Sequence, residues 1–357
     1  MSEVDRSYLD AAIELAERGL FSATPNPRVG CLLVKGANVI GKGWHVRTGQ
    51  NHAERNALEN ADGDVSGATA YVSLEPCAHS GRTPPCADAL IEAKVARVVA
   101  AMSDPDPRVS GKGFERLEKA GIAVEVEEMA AAQALNAGYV RRVQHRRPIV
   151  RIKMAMSLDG RTAMAGGESQ WITGEQARAD VQYWRARSCA IVTGIGTVVA
   201  DDPALSVRDE RFRVDGILRQ PLRVVVDSHG RVPANAKLFD DGADVLLATA
   251  GSGIDRHERA KVHRQPGPSV DVAGLLRHLG TAGCNEILVE AGAGLAGSFI
   301  RDGLWDEMVL YFAPKLLGSE ARPLAELALT RMSEAIEGKI SSTAMLGEDL
   351  RVIVAKS

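Results

Sequence analysis

Residues 69–86 read TAYVSLEPCAHSGRTPPC and lead from an apolar run into two cysteines that are separated by eight residues. The run at 69–74 is short and rich in apolar side chains, which is typical of a buried strand. Cys77 follows that strand and Pro76, and we expect a helix to begin there. The N-terminus of a helix lowers the pKa of a thiol, so this position favours the thiolate that binds metals.

The segments on either side of this stretch alternate between predicted helices and predicted strands. Apolar residues recur at helical spacing over 8–20, and two apolar runs, 29–34 and 39–43, flank a four-residue turn and predict a hairpin. Further helices are predicted at 52–59, 87–94 and 112–120, and further strands at 97–102 and 122–126. Strands separated by helices in this way predict a layered α/β domain with a largely buried sheet.

The second half of the chain predicts another α/β domain. A strand at 149–156 precedes the turn 158–161, in which Asp159-Gly160 is a strong hairpin signal. Thr173 to Gln176 have the spacing of a capping box, which predicts a helix that starts there and continues to about residue 187. Further strands are predicted at 190–193, 222–227, 244–249, 286–290 and 308–312.

A basic segment, 141–148, separates the two halves. Cations are favourable near the C-terminus of a helix, so we interpret the segment as a solvated helix end and a linker. The alternative is a patch that binds phosphate or nucleic acid. Our interpretation places one domain at residues 1–146 and a second at residues 147–357.

The composition of the 357 residues argues against several classes of protein. Lys plus Arg is 43 and Asp plus Glu is 46, a net charge of −3, whereas proteins that grip nucleic acid through its phosphates are usually basic. The 5 cysteines are too sparse for a disulfide framework, which favours a reducing compartment. The acidic N-terminus does not resemble a signal peptide, and no apolar run approaches the roughly 20 residues of a membrane helix. We therefore expect a cytoplasmic protein with no membrane or nucleic-acid partner.

His52, Cys77 and Cys86 offer one imidazole and two thiolates, a donor set that suits zinc. Three protein ligands leave the fourth tetrahedral position open, which is typical of a catalytic site. Glu54 is not a ligand in this interpretation; it transfers protons between the attacking water and a leaving amine. The alternatives are core cysteines, or a structural zinc with His79 as the fourth ligand, although His79 is close enough to Cys77 to strain the chelate.

The pattern His-x-Glu followed by Pro-Cys-x-x-Cys is typical of zinc deaminases that act on nucleobases, but here eight residues rather than two lie between the cysteines. The stretch PCAHSGRTPPC at 76–86 closely resembles the bifunctional riboflavin-biosynthesis deaminase/reductase family. The resemblance extends to PNPRVG at 25–30, GWH at 43–45 and DPDP at 104–107. It implies a cytidine-deaminase-like three-layer α/β/α fold for the first domain.

In that family the first domain removes the 2-amino group of 2,5-diamino-6-ribosylamino-4(3H)-pyrimidinone 5′-phosphate. The resemblance implies that Asn26, His45 and His79 contact this substrate. An asparagine side chain offers both a donor and an acceptor to a pyrimidine edge. The alternative for Asn26 is a turn residue between two prolines.

The second half carries motifs that look like the reductase half of the same family, whose fold is similar to dihydrofolate reductase. These motifs are IKMAMSLDGR at 152–161, SQWITG at 169–174, TGIGT at 193–197 and DDPALSVR at 201–208. GAGLAG at 292–297 follows a predicted strand, but its late place and the lack of a suitably spaced acidic residue argue against a Rossmann domain. Small residues at the start of a helix still let backbone N–H groups meet a pyrophosphate. The alternative is tight packing between strand and helix.

The resemblance implies two sets of contacts in this half. The nicotinamide cofactor is implied to contact Ala155, Trp171, Thr197, Asp201, Ser228, Gly292, Ala293, Gly294, Leu295, Ala296, Gly297 and Ser298. The substrate is implied to contact Ser169, Arg185, Leu205, Arg208 and Glu290. Arg185 and Arg208 are candidate phosphate clamps, because a guanidinium matches phosphate oxygens; a surface charge is the alternative for Arg185. Lys153 is the candidate that engages the hydroxyl or carbonyl of the opened sugar, and a buried ion pair is its alternative.

Together these patterns predict a two-domain enzyme that uses one Zn²⁺ and NADPH. It deaminates the pyrimidine and then reduces the ribosyl chain to a ribityl chain, which yields 5-amino-6-ribitylamino-uracil 5′-phosphate. The family forms homo-oligomers, and we expect a dimer. Two other classes stay open at this point: a deaminase that binds nucleic acid, and a metal-stabilised scaffold without activity.

Overall fold

The computed structural model describes residues 2–78, 84–251, 253–254 and 256–357. The chain divides into two compact units. The first comprises Met1–Arg146 together with Val214–Ile217, and the second comprises Arg147–Arg213 and Leu218–Ser357. Within the described ranges, none of the helices is both long enough and apolar enough to cross a membrane.

The first unit alternates helices and strands as the sequence predicts. Its elements are α1 (Glu3–Glu17), β1 (Gly30–Lys35), β2 (Asn38–Trp44), α2 (Ala53–Glu59), β3 (Thr69–Val72), α3 (Cys86–Glu92), β4 (Arg97–Ala100), α4 (Lys112–Lys119), β5 (Ala123–Val126), α5 (Ala130–Leu135) and α6 (Ala137–His145). The described strands form a five-stranded sheet in the order β2-β1-β3-β4-β5. β1 is antiparallel to both β2 and β3, whereas β3, β4 and β5 run parallel. The predicted hairpin is therefore confirmed.

The sheet of the first unit is covered on both faces, because successive side chains of a strand point to opposite sides. Leu32 and Val34 of β1 pack with apolar residues of α1 and α5. Cys31 and Leu33 face the other way and pack with residues of α2, α3 and α4. The result is the expected three-layer α/β/α arrangement, with α2 and α3 on the same side of the sheet.

One predicted helix start in this unit is wrong. We expected a helix to begin at Cys77, but α3 begins at Cys86, with Pro85 as the residue before its first turn. Proline lacks an N–H and has a fixed φ, so it is favourable at the start of a helix, where that N–H has no partner within the helix. The two cysteines therefore lie on different segments, Cys77 after β3 and Cys86 at the start of α3.

The second unit is built on a larger sheet. Its elements are β6 (Ile149–Ser157), β7 (Arg161–Ala163), α7 (Glu175–Arg187), β8 (Ala190–Gly194), α8 (Ile195–Asp201), β9 (Leu222–Val226), β10 (Val245–Ala250), β11 (Lys261–Gln265), α9 (Val272–Thr281), β12 (Glu286–Val289), α10 (Ala293–Arg301), β13 (Glu307–Ala313), β14 (Arg322–Pro323), β15 (Gly338–Leu346) and β16 (Asp349–Lys356). Short 3₁₀ helices occupy Glu210–Phe212, Lys237–Phe239 and Met332–Glu334.

The order of the strands in this sheet locates a crevice. The described strands are ordered β11-β10-β9-β8-β12-β6-β13-β16-β15, and those from β11 to β13 are parallel. After β8 the chain continues outward to β9, whereas β12, the neighbour of β8, connects to β13 on the other side. Ligands of open α/β sheets bind at the carboxyl ends of strands where connections diverge in this way.

Two local predictions in this unit are wrong. The turn after β6 forms, with Gly160 at a φ of 72°, but β7 pairs with β14 rather than with β6. The carboxylate of Asp159 instead accepts the N–H groups of Leu317 and Gly318, which join the turn to the loop after β13. The predicted capping box is absent because the first helical residue of α7 is Glu175, so Gly174, which has no side chain, is the N-cap.

Candidate active sites

His52, Cys77 and Cys86 converge in the first unit. His52 immediately precedes α2, and its Nδ1 lies 3.3 Å from Cys86 Sγ and 3.6 Å from Cys77 Sγ. The three donor atoms all lie within 4.8 Å of one another. Tetrahedral zinc with bonds of about 2.0–2.3 Å separates its ligand atoms by roughly 3.5 Å. The donor set and its spacing therefore fit zinc.

The backbone around the cluster favours a thiolate at Cys77. The N–H of Cys86, at the start of α3, donates to Cys77 Sγ over 3.3 Å. Hydrogen bonds from the Cys86 thiol and, less strongly, from His52 and the Cys86 N–H lower the pKa of Cys77 to about 4. A helix start thus stabilises the thiolate of Cys77, as the sequence predicts, but the helix is α3, which begins at Cys86.

Glu54 lies in the first turn of α2, beside the cluster. Its side chain is buried, and its Oε2 has no hydrogen-bond partner in the part of the chain that the structure describes. Burial raises the pKa of this carboxyl. A buried carboxylate oxygen without a partner costs stability, which is typical of a group kept available for chemistry.

Asn26 and His45 lie near His52, and the ring centroids of His45 and His52 are 5.2 Å apart. Asn26 Nδ2 is 3.0 Å from His45 Nε2, and His45 Nδ1 is 3.0 Å from the carbonyl oxygen of Asn51. An amide nitrogen only donates and a carbonyl only accepts, so Nε2 accepts, Nδ1 donates and the imidazole is neutral. Burial, the main cause, lowers the pKa of His45 to about 4, which agrees with the neutral form. His79, also predicted to contact substrate, lies outside the described residues.

A cavity of about 1190 Å³ opens in the second unit. It lies at the carboxyl ends of β8 and β12, where the strand connections diverge. Predicted site residues that line it are Lys153, Ala155, Ser169, Trp171, Arg185, Thr197, Asp201, Leu205, Arg208, Glu290, Gly292, Ala293, Gly294 and Leu295. A pocket for one ligand is typically about 300–1,000 Å³, so this cavity lies just above that range.

Three charged side chains line the buried part of this cavity. Arg185 Nε and Nη2 donate to the two carboxylate oxygens of Glu290 over 2.6 and 2.9 Å, and Arg185 Nη1 donates to the carbonyl oxygen of Ser206. Lys153 is half-buried beside this pair, and its partial removal from water lowers its pKa whereas Glu290 opposes the shift. The guanidinium of Arg185 therefore has a carboxylate partner, and its assignment as a phosphate clamp stays a prediction.

Comparisons with known proteins cover both units. The family model of the cytidine and deoxycytidylate deaminase zinc-binding region matches residues 2–102, and that of the RibD C-terminal domain matches residues 148–350. Riboflavin biosynthesis protein RibD of Escherichia coli (strain K12) is 46% identical over 358 residues, which cover 97% of this chain and 98% of that protein. The chain belongs to the RibD family. It is a bifunctional enzyme of riboflavin biosynthesis, with a zinc-dependent deaminase and an NADPH-dependent reductase.

Solved RibD structures have the same architecture. RibD of Acinetobacter baumannii, form 1, is 43% identical and superposes with a TM-score of 0.94, covering 99% of both chains. A diaminohydroxyphosphoribosylaminopyrimidine deaminase/5-amino-6-(5-phosphoribosylamino)uracil reductase from Thermotoga maritima is 31% identical, with a TM-score of 0.86 and 99% of both chains covered. The predicted pairing of a deaminase fold with a reductase fold is confirmed.

Four predicted cofactor residues of this RibD chain do not line the cavity. Ser228 Oγ instead accepts the N–H of Val270, and Ser298 Oγ donates to the carbonyl oxygen of Gly294 within α10. Ala296 is fully buried in the apolar core. A Cβ at Gly297 would overlap the backbone of Glu326, so this glycine serves close packing. The first four residues of GAGLAG line the cavity, and Ala296 and Gly297 face the core.

Sequence reasoning also missed several cations near the cavity of this RibD protein. Arg178, Lys237 and Arg322 line its wall. Arg178 lies 4.6 Å from the centre of the Trp171 ring, and Lys315 Nζ donates to the carbonyl oxygen of Trp171 over 2.9 Å. Arg178 and Lys315 therefore both contact Trp171. A lone arginine or lysine carries no local signal, and only the folded chain brings three of these cations to the cavity and the fourth, Lys315, to Trp171.

Proposed function

We propose that the first unit deaminates 2,5-diamino-6-ribosylamino-4(3H)-pyrimidinone 5′-phosphate and that the second reduces the ribosyl chain of the product. The observation that carries the proposal is the three-donor cluster of His52, Cys77 and Cys86 with Glu54 beside it, whose buried Oε2 has no hydrogen-bond partner among the described residues. This combination supports hydrolysis of an amino group on a heterocycle. The T. maritima relative is named for the same pair of reactions.

Zinc held by His52, Cys77 and Cys86 supplies Lewis-acid activation of water. Glu54 accepts the proton of the attacking water and returns it to the departing amine, which leaves as ammonia while the ring carbon gains the oxygen. The raised pKa of Glu54 suits both transfers, because a general acid–base group works best when its pKa approaches the working pH. Asn26, fixed by His45, orients the pyrimidine through its amide.

In the second unit bound NADPH would supply the hydride for reduction at C1′ of the opened sugar, and the residues of the chain would position the reactants. Lys153, half-buried beside Glu290 and Arg185, donates a hydrogen bond to a hydroxyl or carbonyl of that sugar. The start of α10 lines the cavity, and its backbone N–H groups would hold the cofactor pyrophosphate. Arg208 takes the substrate 5′-phosphate, because its exposed side chain lines the cavity and has no carboxylate partner among the described residues.

The decisive experiment supplies the diamino-pyrimidinone ribotide with and without NADPH. We expect ammonia release in both cases, and NADPH oxidation only after deamination. Ammonia release without any NADPH oxidation would contradict the assignment of the second unit. The absence of both signals from zinc-loaded protein would contradict the proposed substrate.

Replacing Arg208 with alanine should weaken substrate binding in the reductase by roughly 1.5–3 kcal/mol, the usual value of a charge-assisted hydrogen bond. Affinity for NADPH should stay within twofold, since the proposed partner is the substrate phosphate. Titration of the two ligands separately checks this. Arg211→Ala, in the same loop but paired with Asp209, is the matched control and should bind both ligands as the parent does. A loss of NADPH affinity instead would reassign Arg208 to the cofactor.

We also propose that the domains are residues 1–146 and 147–357. Each unit has apolar clusters of its own. Residues 147–357 expressed alone should therefore fold, bind NADPH and reduce the deaminated ribotide without zinc. Circular dichroism and NADPH oxidation measure the two properties. An insoluble fragment would show that the boundary is wrong.

We propose further that the enzyme is a homodimer in the cytoplasm. β15 is the last strand of its sheet, and its Ile340 and Met345 side chains are exposed. An edge strand with exposed apolar side chains is suited to pairing with a second copy. A reducing compartment suits a chain that needs two thiols as metal ligands.

A further inference from the structure

We propose that α4 clamps the two cysteine-bearing segments of the zinc site together, and that Arg116 is a positioning residue that helps to set the separation of Cys77 and Cys86. This inference deepens the proposed function and rests on the ligand set proposed there. The residues of α4 that form the clamp contact neither the proposed substrate nor the metal. It assigns a role to a helix that carries no predicted site residue.

The need for a clamp follows from the spacing of the cysteines. In a Cys-x-x-Cys motif the short connection itself limits how far apart the two sulfurs can move. Here eight residues lie between Cys77 and Cys86, and a connection of that length can span on the order of 30 Å when extended. The chain between the cysteines therefore does not determine the distance between two sulfurs that share one ion. Two hydrogen bonds join the segments directly, from the N–H groups of Cys86 and Ala87 to Sγ and the carbonyl oxygen of Cys77 over 3.3 and 3.2 Å, and contacts from elsewhere in the fold add to them.

Arg116 provides such a contact to both segments at once. Its Nη2 donates to Asp88 Oδ2 over 2.9 Å, and Asp88 lies in the first turn of α3, two residues after Cys86. Its Nη1 donates to the carbonyl oxygen of Ala78, the residue after Cys77, over 3.3 Å. A guanidinium is planar and presents its donors in a rigid fork, so the two partners are held at a fixed separation.

Glu75 attaches the start of α4 to the chain on the other side of Cys77. Its buried carboxylate accepts the N–H of Gly113 at Oε1, and those of Gly111 and Asp104 at Oε2, all at 3.0–3.1 Å. A Cβ at position 113 would overlap the carbonyl oxygen of Pro76, so the helix approaches this segment closely only with glycine there. α4 thus holds the chain both before and after Cys77, while the same helix holds α3.

The contribution of Arg116 to stability is expected to be small. Its side chain is 47% exposed, and exposed ion pairs typically contribute about 0–1 kcal/mol. Removing it should therefore leave the fold intact but let α3 move relative to Cys77. Residues that orient metal ligands without binding the metal are typically worth about 10- to 100-fold in metal affinity. We expect a loss of zinc affinity in that range.

The test compares full-length Arg116→Met with the parent. Zinc affinity measured by competition with a chelator should fall about 10- to 100-fold. The cobalt-substituted variant should show altered ligand-field bands, which report the geometry of the donor atoms. The melting temperature of the metal-free protein should not change. Arg116→Lys, which keeps the charge but not the fork, should recover only part of the affinity.

Lys119→Met is the matched control, because Lys119 lies on the same helix and its ion-pair partner in the described chain is Glu115. It should bind zinc as the parent does. Parent-like zinc affinity and cobalt spectrum in Arg116→Met would overturn the clamp, as would a loss of affinity explained by a lower melting temperature of the metal-free protein. Cys86→Ser separates this failure from that of the proposed function: if it still holds zinc, the ligand set itself is wrong.

Discussion

Glu54→Gln is expected to lower the rate of deamination by about 100- to 10,000-fold while the protein keeps its zinc. Glutamine has nearly the same shape as glutamate, but it cannot accept the proton of the attacking water or return it to the amine. Because the Glu54 side chain is buried and its Oε2 has no partner among the described residues, the substitution breaks no hydrogen bond there. Ammonia release under saturating substrate measures the effect, and metal analysis measures the zinc content.

Two controls make this result specific. Glu59→Gln changes a carboxylate at the other end of α2, which accepts a hydrogen bond from Asn51, and it should leave the rate within threefold. Oxidation of NADPH by Glu54→Gln supplied with deaminated ribotide should match the parent. Deamination within tenfold of the parent rate would show that Glu54 is not the proton carrier.

Glu290→Gln should destabilise the second unit by about 3–5 kcal/mol and abolish reduction. Glu290 is the carboxylate that balances the guanidinium of Arg185, which is 14% exposed, and the half-buried ammonium of Lys153. Removing one partner of a buried ion pair leaves an uncompensated charge, which costs far more than the pair itself contributes. The same change lowers the pKa of Lys153 further, because Glu290 opposes the effect of burial.

Urea unfolding of the full chain, followed by tryptophan fluorescence, measures this loss, since Trp171, Trp184 and Trp305 all lie in the second unit. Glu326→Gln is the matched control, because its exposed carboxylate lines the same cavity. The double variant Glu290→Gln, Arg185→Met should recover part of the stability, since both charges of the pair are then gone. An unchanged free energy of unfolding for Glu290→Gln would show that Glu290 does not balance the charges of Arg185 and Lys153.

The deaminase site was largely predictable from the sequence. Histidine and cysteine are typical zinc ligands, so the residue types of His52, Cys77 and Cys86 by themselves indicate zinc. Glu54 is only two residues from His52 in the sequence, which places an acid–base group beside the metal ligands. The hairpin of β1 and β2 was predictable for a different reason: its pairing is local, and a four-residue turn joins two short apolar runs. The prediction that a helix begins at Cys77 was wrong. The helix α3 begins at Cys86, directly after Pro84 and Pro85.

The reductase site depended far more on tertiary structure. Arg185 lies 105 residues before Glu290, and nothing local to either residue indicates that they form an ion pair. Gly297 reads as part of a phosphate-binding motif, yet it lies against the backbone of Glu326. The amino-acid sequence shows which side chains are available and which local turns they favour. The partner of a buried charge, the inner face of a helix and the clamp between two cysteines depend on strand order and crossovers, because these bring together residues that no local interaction connects.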